Sequence, residues 1–154
     1  HTEAAGYCLV ASAKRDSMRL TSVVMGAKSE KARAQASLAL LNYGFRFYES
    51  PKLYPGGQPI EKLRVWMGAI EELPVGPAED IHATIPRGRY DKLAARIEKN
   101  PDIIAPVAKG DKVGEIVVDL DGKEIGREPL IALEDVAAGG WWEWLRDTIL
   151  RWFQ

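Results

Sequence analysis

The stretch Lys112–Asp135, KVGEIVVDLDGKEIGREPLIALED, predicts the fold class of the second half of the chain. Asp121-Gly122 separates two β-prone runs, and Asp-Gly is typical of the two-residue turn that joins antiparallel strands. Further short runs precede this hairpin between turn residues, with no long helical pattern: IEKLRVWMG, DIHATIPRG and KLAARIE. Strands at this spacing predict a small all-β antiparallel sandwich over residues 51–136.

The first 50 residues have a different pattern. Tyr7–Ala13 (YCLVASA) and Met18–Met25 (MRLTSVVM) are β-prone runs joined by the polar KRDS, which predicts a hairpin. An amphipathic helix follows, with Ser29 as its N-cap and Gly44 as its C-cap. The residues expected on its apolar face are Ala36, Ala39, Leu40 and Tyr43. Residues 1–50 are therefore a mixed α/β segment, and the proline- and glycine-rich Pro51–Pro59 is predicted to link it to the β domain.

Composition excludes several function classes. The 154 residues include 21 basic and 22 acidic side chains, so no overall positive field attracts nucleic acid. The single cysteine, Cys8, excludes an internal disulfide and a cysteine-rich metal cluster. No apolar run approaches the roughly 20 residues that cross a bilayer. We expect no nucleic-acid partner, no metal and no cofactor.

The residues alone contain no complete catalytic set. His82 lies in an alternating run with Thr84 on the same face, which favours a solvated strand histidine over a metal ligand. The pairs Glu71-Glu72 and Glu134-Asp135 are interpreted as solvated surface carboxylates. Gly56-Gly57 is not followed by a helical pattern, so it is not predicted to bind phosphate.

The last segment, residues 137–154, contains four of the five tryptophans. On a helical wheel, six large side chains fall within an arc of about 120°: Trp141, Trp142, Leu145, Ile149, Trp152 and Phe153. This pattern predicts an amphipathic helix that lies in the membrane interface, where tryptophan is favoured. Docking of the same face on the protein itself or on a second copy is the alternative.

Several stretches together resemble the low-molecular-mass penicillin-binding proteins, the serine-type D-alanyl-D-alanine carboxypeptidases. In the first 50 residues these stretches are HTEAAGY, LVASA, RLTSVVMG and GFRFYE. In the second domain they are ATIPRG, APVAKGDKVGEIVVDLDGKEI and REPLIALEDV. The likeness covers essentially the whole chain, in order and spacing.

The resemblance implies that residues 1–50 are the last strands and helix of a penicillin-binding catalytic domain, starting just after its Lys-Thr-Gly motif. The family's Ser-x-x-Lys, Ser-x-Asn and Lys-Thr-Gly motifs are absent from the chain, so the chain alone is expected to be inactive. His1 would lie on the active-site strand edge along which the substrate peptide aligns, offering backbone hydrogen bonds, and its ring is a secondary candidate for tuning the catalytic site. Arg33 matches a family arginine that faces the substrate's terminal carboxylate, and Cys8 is expected to be a buried strand thiol.

The complete enzyme implied by the resemblance removes the terminal D-alanine from peptidoglycan stem peptides through a serine acyl-enzyme, and β-lactam antibiotics acylate the same serine. Its expected partners are these peptides, β-lactams, the remainder of the catalytic domain and a membrane surface. It would be periplasmic, attached peripherally to the outer leaflet of the inner membrane. The alternative is a non-catalytic membrane-associated adaptor or binding module.

Overall fold

The computed structural model describes residues 5–141. The chain divides into two compact units. Unit 1 contains the residues up to Pro51 together with Thr84–Asp91, and unit 2 contains Lys52–Ala83 and the residues from Lys92 onward. The elements are β1 (Tyr7–Arg15), β2 (Met18–Ala27), α1 (Glu30–Phe47), β3 (Tyr48–Glu49), β4 (Lys52–Tyr54), β5 (Glu61–Arg64), β6 (Glu72–Pro77), β7 (Ile81–His82), β8 (Ile85–Pro86), a 3₁₀ turn (Tyr90–Lys92), β9 (Leu93–Lys99), β10 (Lys112–Leu120) and β11 (Lys123–Ala132).

Unit 1 is built on the predicted hairpin and helix, and both are confirmed. β1 and β2 pair antiparallel from Arg15↔Met18 outward, around a two-residue turn. Asp16 has a φ of 51° in this turn, a conformation that aspartate tolerates better than most residues. Ser29 is the N-cap of α1, and its Oγ accepts a hydrogen bond from the Ala32 amide at 3.1 Å.

The prediction that Gly44 ends the helix is wrong. α1 continues to Phe47, and Tyr48 is its C-cap, with a backbone N–H that donates to the Gly44 carbonyl. Gly44 lies instead where the helix approaches β2: a Cβ added there would be 2.4 Å from Leu20 Cδ1. The glycine therefore permits close packing of helix on strand.

The predicted apolar face of α1 is also not the face that packs on the hairpin. Ser37 and Phe45 are buried, and the Ser37 and Ser22 hydroxyls lie 2.6 Å apart in a hydrogen bond. Leu40 and Tyr43 are 51% and 56% exposed. The helix carries apolar side chains on two sides, and within the described residues only one side is covered.

Unit 2 contains a five-stranded antiparallel sheet with the order β5-β6-β11-β10-β9. The β10–β11 hairpin is confirmed, with Leu120 paired to Lys123 across the Asp121-Gly122 turn. The φ values of these two turn residues are 53° and 75°, as a type I′ turn requires. The antiparallel β character predicted for this domain is therefore confirmed.

The layers of unit 2 differ from the predicted sandwich. Ile116, Val117 and Val118 are all buried, and because successive side chains on a strand point to opposite faces, both faces of β10 are covered. The described residues form one five-stranded sheet and the two-stranded ribbon β4–β7, accompanied by irregular segments. Single bridges join these segments: Trp66 with Ile104, Gly68 with Ala138, and Val107 with Val136. Prolines at 101 and 106 prevent the segment around Ile104 from extending a ladder.

The two edge strands of the sheet approach one another. β5 and β9 are at opposite ends of the strand order, yet Lys99 Nζ of β9 lies 3.9 Å from Glu61 Oε1 of β5. The Trp66 amide, just after β5, donates to the Ile103 carbonyl, which follows β9, at 2.8 Å. The sheet is therefore strongly curled.

The predicted linker is partly folded. Lys52–Tyr54 pairs with Ile81–His82, and the Gly56 amide donates to Asp80 Oδ1 at 2.9 Å. Lys52 Nζ lies 2.6 Å from Asp80 Oδ2, and this hydrogen bond holds the pKa of Asp80 below its usual value.

Candidate functional site

Arg33 ties the first turn of α1 to the start of β1. Its Nη1 donates to the Cys8 carbonyl at 3.1 Å, and its Nη2 donates to Glu30 Oε1 at 3.1 Å. The guanidinium carbon lies 5.7 Å from the centroid of the Tyr7 ring. The side chain is only 26% exposed, so three contacts fix the orientation of the guanidinium at the surface.

This arrangement can bind a carboxylate. A guanidinium has five N–H donors in a planar fork that matches the two oxygens of a carboxylate. The two bonds above use one donor each, and the Glu30 side chain that receives one of them is 79% exposed. An exposed ion pair of this kind contributes little, so a ligand carboxylate can compete with Glu30.

His1 and Cys8 are the other residues predicted near Arg33. His1 lies outside the described residues. Cys8 is half-buried, and its Sγ lies 3.4 Å from the Ala5 carbonyl oxygen. The backbone carbonyl of Cys8, and not its thiol, contacts Arg33.

The remaining sequence candidates are exposed at the surface. His82 is exposed and its neighbours Ile81 and Ala83 are buried, as the alternating pattern predicted. Glu72 pairs with Lys62 at 3.0 Å, and Asp135 Oδ1 accepts the Lys109 amide at 2.7 Å. Over residues 5–141, no group of three His, Cys, Asp or Glu side chains is arranged to hold a metal ion.

The predicted membrane-binding face falls almost wholly outside the described residues. Trp141 is 66% exposed at the end of the described range. Trp142, Leu145, Ile149, Trp152 and Phe153 lie outside it. Among the described residues, no helix has the length and apolar character needed to cross a bilayer.

Sequence reasoning missed a charge network on β9, β10 and β11. Arg127 donates to Glu98 Oε2 at 2.7 Å, to Glu124 Oε2 at 2.9 Å and to Glu115. Hydrogen bonds from Arg127 lower the pKa of Glu98 and Glu124; at Glu115 the bond from Lys112 lowers the pKa most and Arg127 adds to it. The alternating charges along these strands were the available signal. The network links three strands and stabilises the sheet.

Comparison with known families identifies the chain. The family model described as penicillin-binding protein 5, C-terminal domain, matches residues 48–138, which is more than half of the chain. The chain belongs to the penicillin-binding protein 5 family. A second model, D-alanyl-D-alanine carboxypeptidase, matches residues 1–29. The resemblance inferred from the quoted motifs is thus confirmed.

Curated relatives agree with this membership. The chain is 40% identical over 157 residues to the D-alanyl-D-alanine carboxypeptidase DacC of Escherichia coli, covering 99% of the chain and 39% of the relative. It is 39% identical to the carboxypeptidase DacA of the same organism, covering 97% of the chain and 37% of the relative. The chain therefore spans about two fifths of the length of these penicillin-binding protein 5 relatives.

A solved structure gives the same result for the fold. Penicillin-binding protein 5 from Haemophilus influenzae superposes with a TM-score of 0.82 at 40% identity, covering 89% of this chain and 40% of that one. PBP3 from Streptococcus pneumoniae, at 20% identity and a TM-score of 0.71, shares the fold.

Proposed function

We propose that the chain is the C-terminal part of a serine-type D-alanyl-D-alanine carboxypeptidase. The complete enzyme would remove the terminal D-alanine from peptidoglycan stem peptides through a serine acyl-enzyme and would be acylated by penicillins. Membership in the penicillin-binding protein 5 family supports this proposal. The observation that carries it is the oriented guanidinium of Arg33 beside the start of β1, in the unit whose first residues match the carboxypeptidase family.

In this proposal Arg33 binds the terminal carboxylate of the substrate. The Cys8 carbonyl and the Tyr7 ring orient its guanidinium, and the Glu30 carboxylate is displaced when substrate binds. His1 contributes its backbone to the strand edge along which the peptide aligns. The serine nucleophile belongs to the part of the enzyme that the chain does not contain.

Exposed apolar surface on unit 1 supports the proposed contact with the remainder of the catalytic domain. On the hairpin, Val10, Val23 and Met25 are 67%, 58% and 77% exposed, and Val10 pairs directly with Val23. On the helix, Leu40 and Tyr43 are more than half exposed. Surface of this kind is typical of an interface, and we assign both faces to the missing part of the domain.

The C-terminal segment is proposed to attach the enzyme to the outer leaflet of the inner membrane, in the periplasm. The double substitution Trp141→Glu plus Trp152→Glu tests this anchor by co-sedimentation with vesicles. Release of the protein is expected, because each large apolar side chain contributes about 1.5–3 kcal/mol when fully buried and roughly half of that at an interface. Unchanged sedimentation would favour docking on protein instead.

The enzymatic proposal is tested on the complete protein with a fluorescent penicillin and a peptide ending in D-alanyl-D-alanine. Arg33→Gln is expected to raise KM for the peptide by about 10- to 100-fold, because a hydrogen-bonded charge pair contributes roughly 1.5–3 kcal/mol. Lys31→Gln, an exposed change on the same helix, is the control and should leave KM unaltered. Absence of penicillin labelling on folded complete protein would refute the enzyme and favour the adaptor.

A further inference from the structure

A cleft of about 260 Å³ lies in unit 2 where the two edge strands of the curled sheet approach each other. Lys62 and Arg64 of β5 line one side, and Lys99, the last residue of β9, lines the other. The remaining lining residues are apolar or uncharged: Leu63, Trp66, Asn100, Pro101 and Ile103. Three cations and no carboxylate line this cleft, which favours an anionic ligand.

Contacts with neighbouring side chains position the three cations, and the exposed glutamate partners of the two lysines can be replaced by a ligand. The guanidinium carbon of Arg64 lies 4.0 Å from the centroid of the Trp66 ring, a cation–π contact that orients it. Lys62 pairs with Glu72 at 3.0 Å, and both side chains are 67% exposed. Lys99 pairs with Glu61 at 3.9 Å, with 61% and 39% exposure. Exposed pairs of this kind contribute little, so an incoming phosphate can replace the glutamates.

The cleft lies at the end of unit 2 from which the C-terminal segment departs. β9 starts beside the Asp121 turn, where the Asp121 amide donates to the Lys92 carbonyl, and it reaches Lys99 after about 20 Å. At the Lys99 end, the Trp66 amide bonds to Ile103. The carbonyl of Met67, the residue after Trp66, accepts a hydrogen bond from the Gly139 amide at 2.8 Å. The path toward Trp141 therefore begins beside the cleft.

Exposed apolar side chains accompany the cations at this end. Ile104, which bridges to Trp66, is 43% exposed, and Trp141 is 66% exposed. A soluble inorganic anion makes no apolar contacts, whereas a lipid presents a phosphate and hydrocarbon together. Cations beside tryptophan and isoleucine match the chemistry of the membrane interface.

We propose that this cleft, formed by Lys62, Arg64 and Lys99, binds the phosphate of an anionic lipid headgroup. The proposal rests on the proposed membrane attachment of the C-terminal segment. That segment has two acidic and two basic residues after Trp141, so its own charges give no preference for anionic lipid. The β domain would supply this preference and would hold its Lys99 end against the membrane surface.

The test compares vesicles of phosphatidylcholine alone with vesicles that also contain phosphatidylglycerol. The cleft variant is Lys62→Gln plus Lys99→Gln, and the matched control is Lys92→Gln plus Lys123→Gln, which removes the same charge at the opposite end of β9. Each basic residue near an anionic surface changes the partition coefficient by roughly five-fold. Both cleft lysines already pair with a glutamate, which offsets part of their attraction to the lipid. We therefore expect the partition coefficient on phosphatidylglycerol vesicles to fall about ten-fold for the cleft variant and to stay unchanged for the control. Partition to phosphatidylcholine should not change, and thermal unfolding confirms that both variants fold.

The outcomes separate this proposal from the anchor itself. An unchanged preference for phosphatidylglycerol in the cleft variant overturns the headgroup site, even if Trp141→Glu plus Trp152→Glu releases the protein from every vesicle. Equal losses in cleft and control variants also overturn it, because they indicate a general effect of charge. Saturation of the cleft by inorganic phosphate alone, with a phosphatidylglycerol preference that the phosphate does not reduce, would reassign it to a soluble anion. Wild-type protein that binds neither vesicle overturns the anchor and the headgroup site together.

Discussion

Replacing Gly114 with alanine is expected to destabilise the sheet of unit 2. Gly114 lies where the register of β10 shifts against β11, and its Cα pairs with that of Lys99 in β9. A Cβ at this position would lie 2.6 Å from the Glu98 carbonyl oxygen and 3.0 Å from Lys99 Cα. Both are backbone atoms, so the clash is relieved only if β9 moves away from β10. Such overpacking costs about 1–3 kcal/mol.

Gly126→Ala is the matched control in the same sheet. No atom lies within 4 Å of the Cβ that this substitution adds, and Gly126 does not have a positive φ. Alanine there should be neutral or should stabilise by about 0.4–1 kcal/mol, because it reduces the entropy of the unfolded chain. The two variants should therefore differ by about 1–4 kcal/mol.

Urea unfolding of the chain measures this difference. With a slope of about 1–3 kcal/mol per molar urea, the midpoints of the two variants should lie roughly 1 M apart, with Gly114→Ala the lower. Because Lys99 pairs with Gly114, the same variant should also weaken binding to phosphatidylglycerol vesicles. Equal midpoints for the two alanine variants would refute the close approach of β9 and β10.

Three further predictions concern other parts of the molecule. Arg127→Gln should lower Tm near neutral pH. The difference from wild type should shrink as the pH falls below 4.5, because the folded-state pKa values of its glutamate partners lie below that ordinary value and their stabilisation is lost on protonation. A Tm difference that does not shrink with falling pH would contradict this. Ile116→Ala should lower the free energy of unfolding by about 2–5 kcal/mol in a denaturant titration, since Ile116 is fully buried. Its control, Ile125→Ala at a 43% exposed position, should lower that free energy by less than about 1 kcal/mol. Leu40→Gln plus Tyr43→Gln should lower the unfolding midpoint of the chain only slightly, through loss of the ring contacts of Tyr43 with Phe47 and Tyr48, but should reduce the yield of penicillin-labelled complete protein. Equal yields would argue against a covered interface on α1.

Local chemistry made both long hairpins predictable from sequence. Asp121-Gly122 needs no distant partner to adopt positive φ, and the same holds for the polar turn that contains Asp16. Ser29 caps its helix through a bond to an amide three residues away, so its role was also local. The role of Gly44, in contrast, depends on Leu20 of another element, and no local signal reports that contact.

Non-local features were predicted less well. The buried side of α1 was misassigned because apolar residues occupy two sides of the helix, and periodicity alone cannot say which side the chain itself covers. Arg33 was identified through family motifs, while its orientation by the Cys8 carbonyl required the folded hairpin. Lys62 and Lys99 are distant in sequence and lie on opposite edge strands, so the cleft exists only because the sheet curls.

Unit 1 has a discontinuous sequence, with consequences for how this region can be inherited. β3, just before residue 51, pairs with β8, which follows β4 to β7 in the sequence. Ile85 of β8 is fully buried. A recombination event at residue 51 would combine β3 from one parental gene with β8 from another. Successful exchange among relatives therefore requires that the two parental genes already match at this strand pair. A crossover just beyond residue 91 would keep β3 and β8 together but would divide unit 2, because β6 and its partner β11 would then come from different parents.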